Sequence, residues 1–271
     1  MAGMPPPEAS ARRPARYSLL VFLSADDERF SNRRLTNGVY SVQFGRRTPD
    51  LTTRVADFIR YETSMGRTTL LCTESPFDVE SHVTHALAST PAPERPRPRD
   101  PRIVVHSTTA DRLRSIMDCG AILPAAAVRQ RLPEMALVGF EEFGEPEDYT
   151  RFVYFAPYGS PVGEVVVHSH QEGRVVTDFD ALYTPGGRIY LDFLAMLHDG
   201  VLRRDGIHVA KAHGAVALQS FCVDIITAPD IPESSQRWTP GTFSRAADAL
   251  FASRHPEYFG LRSEQGKHSP H

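Results

Sequence analysis

The sequence predicts an α+β protein in which a strand-rich C-terminal domain follows a small α/β domain. Short runs of β-branched and aromatic residues recur through the second half with few helical periods between them. Strand and helix patterns alternate between residues 17 and 89. A proline- and arginine-rich stretch separates the two. With 271 residues and 41% apolar content, the chain is long enough for one or two packed cores.

Residues 1–16 mix Pro, Ala and Arg without an apolar period and cannot bury enough surface to offset the entropy of ordering, so they read as a flexible arm. Tyr17 to Leu23 is strand-like, and Gly38 to Phe44 alternates with the period of a half-buried strand. A helix follows: Thr48 precedes Pro49 in a first-turn position, Leu51, Val55, Phe58 and Ile59 share one face, and Gly66 is the stop. Thr69 to Cys72 is the next strand. The acidic Ala25-Asp26-Asp27-Glu28 reads as a solvated turn, and nothing in 17–89 forms a chemical motif.

From 90 to 102, repeated prolines remove backbone donors and force extended geometry on the residues before them, as in a stiff linker. Residues 103–260 form the second domain and 261–271 a flexible tail. Ile103-Val104-Val105 reads as a short buried strand, and Thr109-Ala110-Asp111 opens a helix carrying Leu113, Ile116 and Met117, ended by Gly120. Further strands are expected at Arg151–Phe155, Gly163–Val167, Ile189–Leu191, Ala215–Leu218 and Phe221–Ile226, with a last helix over about Phe243 to Ser253 packed on the outside. There are no internal repeats.

A net charge of −3 argues against a generally basic nucleic-acid binder, though a local basic groove stays open. Cys72, Cys119 and Cys222 are too few and too far apart for a disulfide framework or a C-x-x-C site. The start lacks the order of a secretory signal, and no apolar run approaches the roughly 20 residues needed to span a bilayer. A cytoplasmic protein without membrane contact is expected.

The segment from His106 through Ser107 and Thr108 places polar side chains at the end of a buried strand, beside a helix start that offers unpaired N–H groups to a carbonyl or phosphate. In order and type it resembles the first element of the ADP-ribosyltransferase superfold. That element runs His-x-Thr or His-Gly-Thr/Ser, then a helix with Leu and Ile, then Gly-Leu. The nearest forms are the DNA-modifying DarT-like toxins and, more loosely, the RNA 2′-phosphotransferases. Arg151-Phe152-Val153-Tyr154-Phe155-Ala156-Pro157-Tyr158-Gly159-Ser160 is similar to the family's second element, a strand with a central Tyr before a Ser-containing turn. The likeness spans about residues 102–230.

The resemblance implies an NAD-using glycosyltransferase. His106 would hydrogen-bond the adenosine-side ribose, Ser107 and Thr108 would hold the nicotinamide amide through main-chain groups, and Tyr154 would stack on the nicotinamide ring. The family's late-strand Glu has no direct counterpart here. Gln219 stands at roughly that place, and Glu164 has the right chemistry but follows the Tyr strand closely. Gln binds a ribose without carrying negative charge, so a non-catalytic nucleotide- or nucleic-acid-binding module of the same fold is the alternative. The acceptor is open: nucleic acid, protein or small molecule.

A third reading is metal-dependent chemistry. On a strand, His168-Ser169-His170 would put two imidazoles on one face, with Glu172 and Asp178 following, although Glu172 is too near for a cupin-like spacing. The histidine-rich stretch from Leu197 to Gly214 reads as loops, with Arg203, Arg204 and Lys211 as a sharper candidate for a phosphate-bearing substrate. Tyr183 to Arg188 reads as a β-turn, and Cys119 stands late in its helix, where the dipole disfavours a thiolate.

Overall fold

The computed structural model describes residues 17–23, 30–36, 38–73, 78–133, 138, 144–232 and 237–259. The arm expected at 1–16, the acidic Ala25–Glu28 segment and the tail at 261–271 lie outside the described residues. The chain is α+β.

The N-terminal half holds β1 (Tyr17–Phe22), β2 (Phe30–Arg34), β3 (Tyr40–Phe44), α1 (Leu51–Ser64), β4 (Thr68–Thr73) and α2 (Val79–Ser89). The sheet order is β2-β3-β1-β4, with β1 parallel to both neighbours and β2 antiparallel to β3. Alternation along β1 buries Ser18, Leu20 and Phe22. Helix α1 lays Val55 and Phe58 onto this sheet, with Leu51 and Ile59 partly buried beside them, so the expected helical face is the packed one. Burial of each such side chain is worth about 1.5–3 kcal/mol.

Residues 90–102 contain neither helix nor strand but are fastened at both ends of their path. Arg97 forms a two-pronged pair with Asp57 of α1 at 2.6 and 2.7 Å, and Asp100 receives Arg204 at 2.6 and 2.9 Å. The prolines leave carbonyls without strand partners, and Arg60 and Arg204 donate to those of Pro91 and Pro93.

The second half comprises β5 (Ile103–Thr108), α3 (Ala110–Cys119), β6 (Ala121–Ile122), α4 (Ala125–Arg131), β7 (Phe152–Pro157), α5 (Val162–Glu172), β8 (Gly187–Asp192), α6 (Phe193–His198), β9 (Leu202–Arg203), β10 (Ala210–His213), β11 (Val216–Ala217), α7 (Leu218–Phe221), β12 (Cys222–Thr227) and α8 (Pro240–Arg254). Six strands form an antiparallel sheet in the order β12-β8-β5-β7-β10-β9, and β6 pairs with β11 apart from it. On one face, Val104, Val153, Phe155, Ile189 and Leu191 pack with Ile116 of α3 and Met196 of α6. Ile103, Val105 and Tyr190 meet Phe243, Ala247 and Phe251 of α8 in a separate core. A third cluster joins the halves, because Tyr149, Phe152 and Ile207 pack among Leu20, Tyr40, Phe58 and Tyr61.

Two expected strands are different elements. Gly163–Val167 lies within helix α5, because Glu164, Val167 and His168 at helical spacing bury one face, and Gly173 in the left-handed region closes it. Burial along a helix thus outweighs the β preference of its valines. Ala215–Leu218 contributes only the two residues of β11 before the short α7. Among the described residues no helix is long and apolar enough to cross a membrane.

Candidate functional site

Strands β5 and β7 pair through two residues each, Val104 with Pro157 and Val105 with Ala156, whereas β5 pairs with β8 along its whole length. Beyond Val105 the two strands part, and the β7-facing edge of β5 has no ladder partner among the described residues. The His106 imidazole bridges this fork, its Nδ1 standing 3.1 Å from the Tyr154 carbonyl oxygen. A carbonyl only accepts, so Nδ1 carries the hydrogen and Nε2 keeps its lone pair. Burial, reinforced by the nearby Arg112 guanidinium and opposed by the Tyr154 carbonyl, lowers this imidazole below its ordinary range. The result is a neutral ring with one anchored nitrogen and one acceptor nitrogen.

Ser107 turns to the opposite face of β5, and its hydroxyl donates to Glu164 Oε1 at 2.5 Å. The same carboxylate accepts from the Tyr183 hydroxyl at 2.7 Å and from Arg188 at 3.2 Å. Arg188 reaches on to Asp248 of α8 at 2.9 Å and 3.1 Å, and Tyr190 donates to Asp248 at 2.8 Å. Glu164 and Arg188 are fully buried, so the carboxylate nominated for catalysis is engaged by three donors inside the protein. Thr108 is buried at the strand end, where Gly186 passes so close that a Cβ there would stand 2.0 Å from its carbonyl oxygen. No other residue fits that crossing.

Tyr154 shares its main chain with the fork but not its ring. Along β7, Phe152 and Tyr154 face the cluster between the halves, while Val153 and Phe155 join the core on the other side, where the His106 ring lies 6.4 Å from Phe155. The Tyr154 hydroxyl donates to the Tyr149 carbonyl at 2.8 Å, and its ring lies 4.4 Å from that of His208. Gln219 is exposed on α7 and makes no hydrogen bond to His106, Ser107 or Tyr154. The structure therefore joins Ser107 to Glu164 and His106 to the Tyr154 backbone, and leaves Gln219 apart.

Sequence reading missed a second polar cluster beside Tyr154. Asp205 is fully buried; it accepts from the backbone N–H groups of Ile207 and His208 at 3.0 and 2.9 Å, faces His208 Nδ1 at 2.9 Å and pairs with Lys211 Nζ at 2.7 Å. Burial opposes its charge, but Lys211 and His208 outweigh burial and hold the carboxyl well below the usual range. The Lys211 ammonium stands 3.7 Å from the ring centres of both Tyr61 and Tyr149 and 4.5 Å from that of Phe152. Burial pushes Lys211 down despite Asp205. Glu145 is raised, first by burial, and feels His208, Asp205 and Lys211. The loop that carries Asp205 docks through Gly206, where a Cβ would stand 2.1 Å from the Arg54 carbonyl oxygen.

The basic side chains considered for a phosphate are committed elsewhere. Arg203 donates to the Gly200 and Leu202 carbonyls, Arg204 pairs with Asp100, and Lys211 is enclosed. His168 and His170 stand two residues apart on a helix, about 200° around its axis, so they do not share a face as they would on a strand. His168 is buried with Nε2 3.8 Å from Glu172, and no group of three or more His, Cys, Asp or Glu among the described residues is placed to hold a metal ion. The shared face on which a metal-dependent reading of His168 and His170 rests is therefore absent.

Burial, then Arg112, lowers His170 to about 4, the same direction as His106. Both imidazoles have depressed folded-state values, so their contribution to stability is complete above the unfolded value of about 6.5 and is lost as pH falls toward the folded value. Thermal stability is expected to fall between pH 7 and 4.5. In His170→Asn that decline should be shallower by about 1–2 kcal/mol once solvent screening is allowed for. Equal declines in the two proteins would contradict this origin.

Comparison of the chain with family models, with curated proteins and with solved structures gives no match.

Proposed function

We propose that the chain is an ADP-ribosyltransferase-like glycosyltransferase that takes NAD as substrate at the fork between β5 and β7. Its main support is His106: a neutral imidazole, oriented by the Tyr154 carbonyl, with a free acceptor nitrogen beside an unpaired strand edge. Such a ring accepts a hydrogen bond from a ribose hydroxyl, and an unpaired edge offers main-chain groups to a carboxamide. Those are the roles the resemblance assigns to His106 and to Ser107 with Thr108. The acceptor is drawn from nucleic acids, proteins or small molecules. The three free cysteines fit a reducing, cytoplasmic setting.

The engagement of Glu164 and the remote position of Gln219 favour a second reading, a module that binds a nucleotide without cleaving it. Incubation with NAD and assay of released nicotinamide separates the two. Release by the wild type, reduced about 10- to 100-fold in His106→Ala, is the expected result, since loss of a buried substrate hydrogen bond costs about 1–3 kcal/mol. Saturable NAD binding by calorimetry without release supports the binding module. Full release by His106→Ala counts against a ribose contact at this residue, and absence of any nucleotide binding sinks both readings.

A further inference from the structure

We infer that Arg112 is the residue that takes the phosphate groups of the ligand at the fork, an inference that rests on that ligand being a nucleotide. Arg112 stands in the first turn of α3, four residues before Ile116, and therefore on the same face of the helix. Ile116 packs with Val104 and Phe155, on the face of the sheet where the His106 ring lies. Leu113, next in the chain, fills the space that a Cβ on Gly187 would need, and Gly187 pairs with Thr108 at the end of β5. The first turn of α3 thus lies over the end of β5, on the same side of the sheet as the His106 imidazole.

The charge of Arg112 has no internal counterpart. Arg67, Arg97, Arg188 and Arg204 are buried guanidiniums, and each closes on a carboxylate. Arg112 is half-buried, yet no group among the described residues accepts from its side chain; only its backbone N–H is bound, to Thr109 Oγ1 at 3.5 Å. Burial alone lowers this guanidinium, with no carboxylate near enough to raise it. The imidazoles of His106 and His170 are both lowered, first by burial and then, against the Tyr154 carbonyl at His106, by the Arg112 charge, so both stand within its electrostatic reach. A cation partly withdrawn from water among imidazoles lacks compensation, and an anion in the cleft supplies it.

The chemistry favours phosphate. A guanidinium donates two parallel N–H bonds to a phosphate and keeps its charge throughout the physiological range. A neutral imidazole with one nitrogen anchored accepts a hydroxyl hydrogen and offers a phosphate no donor. The two residues therefore divide one nucleotide between them: His106 Nε2 takes a ribose hydroxyl, and Arg112 takes the phosphates esterified to that sugar. A nucleoside meets only the first, so Arg112 sets the preference of the site for phosphorylated ligands.

The test uses the full chain, with ADP and adenosine in calorimetry and inorganic pyrophosphate in thermal unfolding. In Arg112→Gln the ADP dissociation constant is expected to rise about 10- to 100-fold, while adenosine binding stays at the wild-type level and Arg112→Lys recovers part of the loss. Pyrophosphate should raise the unfolding midpoint of the wild type and of His106→Ala, but not that of Arg112→Gln. Without ligand, Arg112→Gln should unfold at or above the wild-type midpoint, because the cation it removes has no internal partner. Equal ADP affinity in wild type and Arg112→Gln overturns the assignment. An Arg112→Gln chain that unfolds early and loses adenosine together with ADP overturns it too, since that marks a structural role. Pyrophosphate protection without ADP binding overturns the nucleotide as ligand. The expected ADP pattern in a chain that releases no nicotinamide supports the role of Arg112 and removes the transferase reading alone.

Discussion

Arg188→Met is expected to destabilise the protein by about 3–5 kcal/mol, because it leaves two buried carboxylates facing an apolar side chain. In the intact protein the guanidinium is fully buried and donates to Glu164, to both oxygens of Asp248 and to the Ser160 carbonyl. Methionine fills much of the volume but restores none of these donors. Glu164 would keep Ser107 and Tyr183, and Asp248 would keep Tyr190 and the Gly159 N–H, which is partial compensation. A domain holds only about 5–15 kcal/mol in all, and in a chain of this size each kcal/mol shifts the midpoint by roughly 2–4 °C. Thermal and urea unfolding of the purified variant measure the loss. An unchanged midpoint would mean that the network carries little of the stability.

Lys211→Met should cost a similar amount, about 3–5 kcal/mol, by a different route. The ammonium fills a cage of Tyr61, Tyr149 and Phe152 and neutralises Asp205, so removal forfeits desolvated cation–π contacts and leaves Asp205 with His208 and two backbone donors. The pH dependence identifies the cause. With Lys211 present, the folded-state carboxyl of Asp205 is depressed, so the stability it contributes is present above the unfolded value of about 3.9 and is lost as pH falls through the folded value. Without Lys211, only His208 and the two backbone N–H groups oppose burial, so that carboxyl rises from its depressed value and the variant loses less stability on acidification than the intact protein. The deficit of the variant is therefore expected to be largest near pH 7 and to shrink below about pH 4. Urea midpoints at the two pH values check this, and a deficit that grows on acidification would contradict it.

Much of the fold was legible because local patterns and burial agree. The face of α1, the β5 to α3 passage with its stop at Gly120, and strands β7, β8 and β12 all follow from periodicity and from Gly or Pro boundaries. Helix α5 was hidden by its valines, although Pro161 before it and Gly173 after it were boundary signals. That error also made His168 and His170 look like a facing pair.

The site was legible in part. His106 and Ser107 fall at a strand end, as the pattern Val104-Val105-His106-Ser107-Thr108 implies, and Tyr154 lies on the neighbouring strand. Which way each ring turns was not legible, because a two-residue ladder fixes neither the parting of the strands nor the face to which Tyr154 points. The buried charges were harder still. Arg188 meets Glu164 and Asp248 across separations of 24 and 60 residues, and nothing in a sequence distinguishes these from surface charges. Asp205, His208 and Lys211 stand three residues apart in a turn-rich stretch, a spacing that signals nothing until the loop closes around the carboxylate.

The aromatic cage around Lys211 also ties the two halves of the chain energetically. Tyr61 comes from α1, whereas Tyr149, Phe152 and Lys211 belong to the second half. Separating the halves would open the cage and loosen Asp205, and with it His208. By linkage, any change that loosens the packing of the N-terminal sheet must loosen the enclosure of Asp205 by the same free energy. A segment without a chemical motif of its own thereby holds part of a buried charge cluster in the other half.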